Sequence, residues 1–561
     1  MARNIDPITL EVIHNSLVAF AEEMATVLCR TAYNMMIYEV QDFVVGLIDT
    51  EGRLIAQNSG GLPIFLSDLG MAVKDGIDCH GLGWFKPGDV LIMNYPYVCG
   101  QHLNNIVIYT PAFYKGELVA FMAVRAHWVD VGGTRIGFGS TKTTEIFEEG
   151  LQFRAVKVYE EGRPNEGILQ ILQDNIRFPD SALGDMRAQM AACRLGETRF
   201  AELMDKYGHD VVQDCIATIW DKSEQLTRQE IAKIPDGEYI AESFMDNDGI
   251  ELDKPVKIKV KVRVMGDQMS IDFSEMSDQV KGCINAGYSG GIAAARVALK
   301  DLTLPFLPVN EGCFRPLEVI LPKGKLLYAV APAAIGQWSI TLPTVIDTIF
   351  KALAPALPHL IPAAHKGDMG GSAIHGINPD TGKRFVFMNI IGGGWGGKPW
   401  ADGESAAVSV CQGDVKNIPV ELQESYYPVV VENFSLREDS GGPGKYRGGL
   451  GLDMTVKVLS DCLINLNVER TKCPPWGIWG GHDGQSNVVY VKQDPAQPWQ
   501  EVKKATNFPM KAGGQVRTLT AGGGGYGLPE ERDPAAMRRD VLEGYVSREA
   551  VARDYKVLFS E

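Results

Sequence analysis

The sequence predicts an α+β protein: a large, multi-layer, mixed α/β chain with helical N-terminal and middle segments and a β-rich, glycine-rich C-terminal half. Three observations carry that prediction. Short apolar runs of strand length lie between turn residues, and longer stretches repeat apolar residues at helical spacing. In addition, 61 glycines and 30 prolines among 561 residues call for many tight turns and close backbone approaches. The length exceeds the roughly 250–300 residues that one hydrophobic core serves. The chain therefore divides into several units, here 1–163, 164–236, 237–380 and 381–561.

Asp6 is placed to cap a first helix, Pro7 suits its first position, and Ile8, Val12, Leu17 and Phe20 follow the helical repeat toward Arg30. DFVVGLID (42–49), GDVLIMNYPY (88–97) and the two runs within 105–128, divided by Lys115-Gly116, read as strands of one sheet. From 164 to 236 the pattern is helical, with Gly208 as a cap. VKIKVKVRVMGDQMSIDFSE (256–275) alternates on both sides of Gly266-Asp267, which predicts a hairpin whose lysines form a solvated face. Residues 284–304 and 341–358 read as helices. Beyond 380, strands at 385–391, 454–460 and 462–468 alternate with glycine-rich runs that have no fixed period, so a solenoid or propeller is disfavoured. A helical tail is expected over 531–555.

A formal charge of −16 and a pI near 5.2, without a cluster of Lys and Arg, argue against nucleic acid as a partner and point to small molecules or other proteins. No uninterrupted apolar run reaches the ~18 residues of a membrane span, and the N-terminus lacks the basic-then-apolar pattern of a secretory signal. The expectation is a cytoplasmic protein without a membrane anchor. The ten cysteines are scattered with no CxxC pair, which suits reduced, buried thiols.

The chemistry-bearing residues concentrate near the N-terminal sheet. GQHLNN supplies His102, AHWVDVGG supplies His127 and Asp130, and Asp42 opens a strand. Two imidazoles and a carboxylate make a mixed N/O set that suits zinc, manganese or iron(II), with ligand bonds near ~2.0–2.2 Å. On spacing alone, hydrogen-bonded histidines at strand ends remain the competing reading. GGGWGGKP (392–399) nearly spells a phosphate loop, but Pro399 stands where a magnesium-binding hydroxyl is needed, so a nucleotide loop is rejected. Its N–H groups remain a possible substrate cradle against the alternative of tight connections. Cys99, close to His102, reads as a buried thiol, and Asp174, Asp185 and Gln189 read as ordinary helix polar groups.

Taken in order, several stretches resemble the hydantoinase B/oxoprolinase family, which includes beta subunits of ATP-dependent cyclic amide hydrolases and is related to acetone carboxylase alpha subunits. They are DPITLEVI (6–13), RTAYN (30–34), QDF (41–43), NYPYVCGQHLNN (94–105), AHWVDVGG (126–133), NIRFPDSALGDMRAQMAA (175–192), IDFSEMSDQVKGCIN (271–285), DSGGPGKYRGGLG (439–451), GGGGYGLPEERDP (522–534) and DVLEGYVS (540–547). The resemblance implies one divalent transition metal, zinc foremost and manganese or iron as alternatives. Its ligands would be Asp42, His102 and His127, with Asp130 a further ligand or the group that orients an imidazole.

The resemblance also implies a separate hydantoinase A-like ATPase subunit, in a heterodimer or heterotetramer, that consumes ATP to phosphorylate a small cyclic amide such as a hydantoin, 5-oxoproline or a lactam. This chain would then open the ring. A ketone carboxylase subunit is the alternative function, and a non-catalytic scaffold the second. The sequence departs from the family's usual NDPYxGGTHLPD and AHHADIGG at Tyr95, Gln101, Asn105 and Trp128. The shell around the histidines is accordingly expected to be less acidic and more aromatic.

Overall fold

The computed structural model describes residues 5–136, 140–370 and 372–557. Helix α1 (Pro7–Thr31) begins as its cap predicts, with Asp6 Oδ2 accepting from the Thr9 N–H at 2.8 Å. There follow β1 (Phe43–Ile48), β2 (Leu54–Gln57), α2 (Asp68–His80), β3 (Val90–Met93), β4 (Asn105–Tyr114), β5 (Glu117–His127), β6 (Val156–Glu160) and β7 (Arg163–Pro164). These strands form one sheet in the order β2-β1-β5-β4-β3-β6-β7. The β4–β5 hairpin closes through Lys115 (φ 50°) and Gly116 (φ 89°), the left-handed pair that a two-residue turn needs to match strand twist.

The helical middle segment is α3 (Glu166–Asn175), α4 (Pro179–Tyr207) and α5 (His209–Ile231). Helices α1, α4 and α5 cover one face of the sheet. Phe43, Val45 and Leu47 point toward them, while Val44 and Ile48 enter the core on the other face. By length and composition α1 resembles a membrane-crossing helix. Here its stripe of Leu10, Ile13, Leu17, Met24 and Leu28 is buried against this layer, each such side chain stabilising by about 1.5–3 kcal/mol. Helix α4 lies close to the strands because Ala188, Ala192 and Gly196 face them. A Cβ on Gly196 would sit 2.6 Å from Met24 Sδ and 2.9 Å from Met122 Sδ.

A second sheet comprises β8 (Gly237–Met245), β9 (Val256–Met265) and β10 (Gln268–Asp272), joined after α6 (Tyr288–Thr303) by β11 (Leu317–Ile320), in the order β11-β10-β9-β8. The predicted hairpin is β9–β10, with Met265 opposite Gln268. Helix α7 (Leu342–Leu353) packs across β8 and β9.

The C-terminal half holds β12 (Ser372–Ile377), β13 (Arg384–Asn389), β14 (Val429–Leu436), β15 (Leu452–Val458), β16 (Cys462–Asn467), β17 (Val488–Lys492), β18 (Gln500–Glu501), β19 (Lys504–Met510) and β20 (Gln515–Leu519). They form two sheets, β13-β12-β16-β19 and β14-β15-β20-β17-β18, and α8 (Pro534–Leu542) belongs to the tail.

The runs that continue from the ends of β13, β15 and β20 form a bundle the sequence did not announce. The glycine-rich runs are neither strands nor mere turns but extended segments bonded to one another through their backbones. Gly394 N–H donates to Ala521 O, Gly397 to Gly524 O, Gly523 to Gly449 O, Gly524 to Ala364 O and Gly449 to Trp395 O, all at 2.8–2.9 Å. Only glycine permits these approaches. A Cβ on Gly394 would overlap the Gly449 carbonyl, and one on Gly523 the Trp395 carbonyl. The N–H groups of Gly393, Gly394, Trp395 and Gly397 are each given to a carbonyl of a neighbouring segment, so most of the 392–397 run is bonded as a structural member of the bundle.

Candidate metal centre

Three neighbouring strands gather the predicted residues at one end of the first sheet. Asn105 opens β4 directly opposite His127, the last residue of β5. Asp42 immediately precedes β1, and its carbonyl accepts the His127 N–H at 3.2 Å. His102 stands in the turn before β4. Gly100 (φ 75°) lets that turn press against the start of α6, where a Cβ would strike the Gly290 backbone. Asp42, His102 and His127 consequently line one cavity of about 30 Å³, room for about one water or ion. Its remaining wall is mostly apolar and includes Met36, Phe65, Trp338, Met369 and Ile390. Met369 and Ile390 lie on segments leading into the glycine bundle, which therefore forms part of the site's wall.

The two imidazoles stand edge to face with ring centroids 5.0 Å apart. His127 Nδ1 donates to Asn105 Oδ1 at 3.0 Å, and His102 Nδ1 donates to the Gly336 carbonyl at 3.3 Å. Each neutral ring therefore carries its lone pair on Nε2, the tautomer that suits a metal ligand. Burial holds both rings neutral, His102 at about 4 and His127 well below the ordinary histidine value. Burial also pushes the Asp42 carboxyl up to about 7 against the pull of Arg125. The donor types and tautomers fit a divalent cation. Among the described residues, however, no three His, Cys, Asp or Glu side chains close into a complete ligand shell.

A buried polar relay stands behind the pair. Asn105 Nδ2 donates to Gln101 Oε1 at 2.6 Å, which also accepts from Arg125 Nη1 at 2.6 Å. The fully buried Arg125 lies 3.5 Å from Asp68, whose Oδ1 accepts from Ser289 Oγ at 2.6 Å. The expectation of a less acidic shell is met here, since amides hold the place next to the imidazole.

Asp130 does something different from orienting an imidazole. Its oxygens accept from Arg177 Nη1 (2.7 Å), Arg177 N (2.8 Å) and Gly132 N (3.2 Å), fastening the 130–135 loop to the segment that leads into α4. The orienting bond on His127 belongs to Asn105. Trp128 is fully buried and donates from Nε1 to Gln189 Oε1 at 2.9 Å; neither it nor Cys99 lines the cavity. The aromatic wall is Trp338, with ring centroids 6.0 Å from His102. Its indole N–H meets no acceptor among the described residues, a donor that an oxygen in the cavity would satisfy.

Sequence reasoning passed over several positioning groups. Asp185 accepts the Tyr33 and Asn34 N–H groups, while Asn34 Nδ2 donates to the His127 carbonyl at 3.0 Å. Gln189, fully buried, donates to the Ile106 and Val124 carbonyls, each at 3.0 Å. The signal was there: two polar residues four apart on a helix face otherwise built of Ala and Met. Glu149 accepts from Gly336 N (2.9 Å), Ile335 N and Thr143 Oγ1, and so holds the peptide that binds His102; burial pushes its carboxyl up to about 7. Nothing in its sequence context marks it.

The fold and this cavity define a class: an enzyme with a buried, neutral imidazole pair at the end of a sheet. Residues 6–529 match the family described as Hydantoinase B/oxoprolinase. A putative D-/L-hydantoinase chain of Pseudomonas sp. (strain NS671) is 34% identical, the match spanning 100% of this chain and 96% of that protein. The crystal structure of the ATP-dependent caprolactamase from Pseudomonas jessenii superposes with a TM-score of 0.94 at 29% identity, covering 100% of this chain and 97% of that one. The nucleotide-free structure of acetone carboxylase shares the fold, with a TM-score of 0.90 at 19% identity over 99% of this chain and 80% of that one. The chain belongs to the hydantoinase B/oxoprolinase family.

Proposed function

We propose that this chain is the metal-dependent hydrolytic subunit of an ATP-dependent cyclic amide hydrolase, working in the cytoplasm beside a hydantoinase A-like ATPase subunit. One observation carries the reading: His102, His127 and Asp42 meet in a single buried cavity, with both imidazoles neutral and both Nδ1–H groups tied down. His102, His127 and Asp42 would hold a divalent cation, zinc foremost. Bound there, such an ion supplies Lewis-acid chemistry and lowers the pKa of water at the reacting carbon.

The chain's own residues do the rest. Asn105 and the Gly336 carbonyl fix the two rings, so neither must reorient during the reaction. Asp42, whose carboxyl burial raises to about 7, would be held as the carboxylate by a cation bound beside it. Phe65, Met36 and Trp338 keep bulk water from the reacting edge, and the Trp338 N–H is available to a substrate oxygen. Activation by ATP falls to the partner, in keeping with glycine-run N–H groups that are already spent on the bundle.

The test is ring opening of a panel of hydantoins, 5-oxoproline and lactams by the purified chain with its ATPase partner and ATP, with and without bicarbonate. Ring opening that needs ATP and ignores bicarbonate is the expected result. Product formation only with bicarbonate would replace the reading with a ketone carboxylase. No turnover, together with no bound metal, would replace it with a scaffold.

A further inference from the structure

The cavity that holds Asp42, His102 and His127 measures about 30 Å³, which admits one water or ion and no organic ring. A cyclic molecule can meet the imidazoles only where a wall residue gives way. A second cavity, of about 130 Å³, lies beside it between β2 and the start of α2, and Phe65 is the one residue that lines both. Its volume is close to the ~150 Å³ of an apolar cavity that takes up benzene, so it has room for a phenylalanine ring. The charges on its rim are already paired, Arg296 with Glu311 at 3.0 Å, Glu51 with Arg53 at 3.0 Å and Lys74 with Asp78.

The backbone on either side of Phe65 is fastened. The N–H groups of Ile64, Phe65 and Leu66 donate to the Cys411, Leu62 and Pro63 carbonyls at 3.0–3.1 Å, and Arg296 Nη1 donates to the Leu66 carbonyl at 3.2 Å. The Phe65 ring, 3% exposed, carries no hydrogen-bonding group, and the Arg125 guanidinium lies 5.5 Å from its centroid. Rotation about its side-chain bonds therefore breaks no hydrogen bond. The polar wall has no such freedom, because moving His127 or His102 breaks the bond to Asn105 or to the Gly336 carbonyl.

We propose that Phe65 is the movable wall of the metal-centre cavity and the residue that sets the ring size the site accepts. Its ring turns into the 130 Å³ cavity, and the place it leaves beside the imidazoles takes the ring of the substrate. The vacated space is that of one six-membered ring, which matches a small cyclic amide in both size and shape. The substrate class rests on the proposed function, whereas the motion of the wall is testable without turnover.

The experiment is carbethoxylation of the full, chelator-treated chain by diethyl pyrocarbonate, with the rate at each histidine followed by mass spectrometry. Wild type is compared with Phe65→Ala, which removes the wall, and with Met71→Trp, which fills the space the ring would enter. Exposed His359 is the internal standard, and its rate should not change. In Phe65→Ala the rates at His102 and His127 should rise by roughly tenfold or more, since an opening that must first be populated becomes permanent. In Met71→Trp they should fall, which gives an independent reading should Phe65→Ala fail to fold. Unchanged rates in Phe65→Ala, or a Met71→Trp chain that reacts as wild type does, would overturn the movable wall. With the ATPase partner and ATP, Phe65→Ala should shift kcat/KM by roughly tenfold toward seven-membered over five-membered lactams, and an unaltered preference would overturn the role in ring size. Histidine reactivity that follows Phe65 in a chain that opens no ring would leave the wall standing and remove the amide reading instead.

Discussion

The imidazole end of the first sheet and the glycine bundle bury polar groups in the same interior and satisfy them by opposite means. Around His127 the partners are side chains: Asn105, Gln101 and Arg125 are joined by hydrogen bonds, Arg125 is paired by charge with Asp68 at 3.5 Å, and Asp68 accepts from Ser289. In the bundle they are backbone groups, Gly394 to Ala521, Gly523 to Gly449, Gly524 to Ala364. Side-chain order at His102, His127 and Asn105 is expected to yield one residue at a time, with the protein folded and the site deprived of its setting. Backbone order leaves no such latitude, because the group that must fit is common to every residue and the only free variable is the absence of a Cβ.

The largest effect separating the two regions is expected at the histidines. His102→Ala or His127→Ala should cut cation affinity by more than the ~10–100-fold that loss of an outer partner costs, while the unfolding midpoint of the metal-free chain moves little. A variant that keeps both its metal and its ring-opening rate breaks the comparison on the site's side.

Next come the glycines. Gly394→Ala or Gly523→Ala forces a methyl into a backbone carbonyl, and each should destabilise by about 3 kcal/mol or fail to fold, read in urea unfolding. Gly83→Ala, whose Cβ would meet nothing within 4 Å, should fall within roughly 0.5 kcal/mol of wild type. Equal effects at all three positions would mean that the bundle's close approaches do not govern stability.

Asn105→Leu probes the relay alone. It removes the acceptor on His127 Nδ1 and should weaken metal binding by about 10–100-fold with only a modest change in stability, measured by competition with a chelator.

The smallest effect is a pH dependence. Burial raises the carboxyls of Asp185 and Glu469 to about 7, so the native state holds protons that the unfolded chain releases near the ordinary ~4. Their contribution is present at low pH and lost as pH rises through about 7. Their part of the stability should therefore fall between roughly pH 4 and pH 7, so the urea midpoint of wild type should lose more over that window than that of Asp185→Asn. Parallel pH profiles for wild type and Asp185→Asn would contradict the burial of Asp185 as a protonated group.

The two regions also differed in how far their sequence could be read. Alternation and turn residues carried the hairpins at 105–127 and 256–272 directly, and capping chemistry located α1. The site's principal residues were visible because histidines are few and the resemblance singled out two of them. Their arrangement was not visible. Asn105 reads as a departure from a family pattern, yet β4–β5 register makes it the residue opposite His127. Asp130 lies three residues from His127 but is turned to Arg177. Trp338 and Glu149 arrive from distant loops that no local spacing predicts. Glycine-rich runs read as turns because glycine carries no side-chain pattern from which an extended bundle can be inferred.

That Asp42, His102 and His127 form a metal centre is tested most directly by element-resolved metal analysis of the purified chain, wild type beside His102→Ala and His127→Ala. One divalent transition metal per chain in the wild type, lost from both variants, is the expected result. A carefully prepared wild type without metal, or variants that retain it in full, would contradict the assignment.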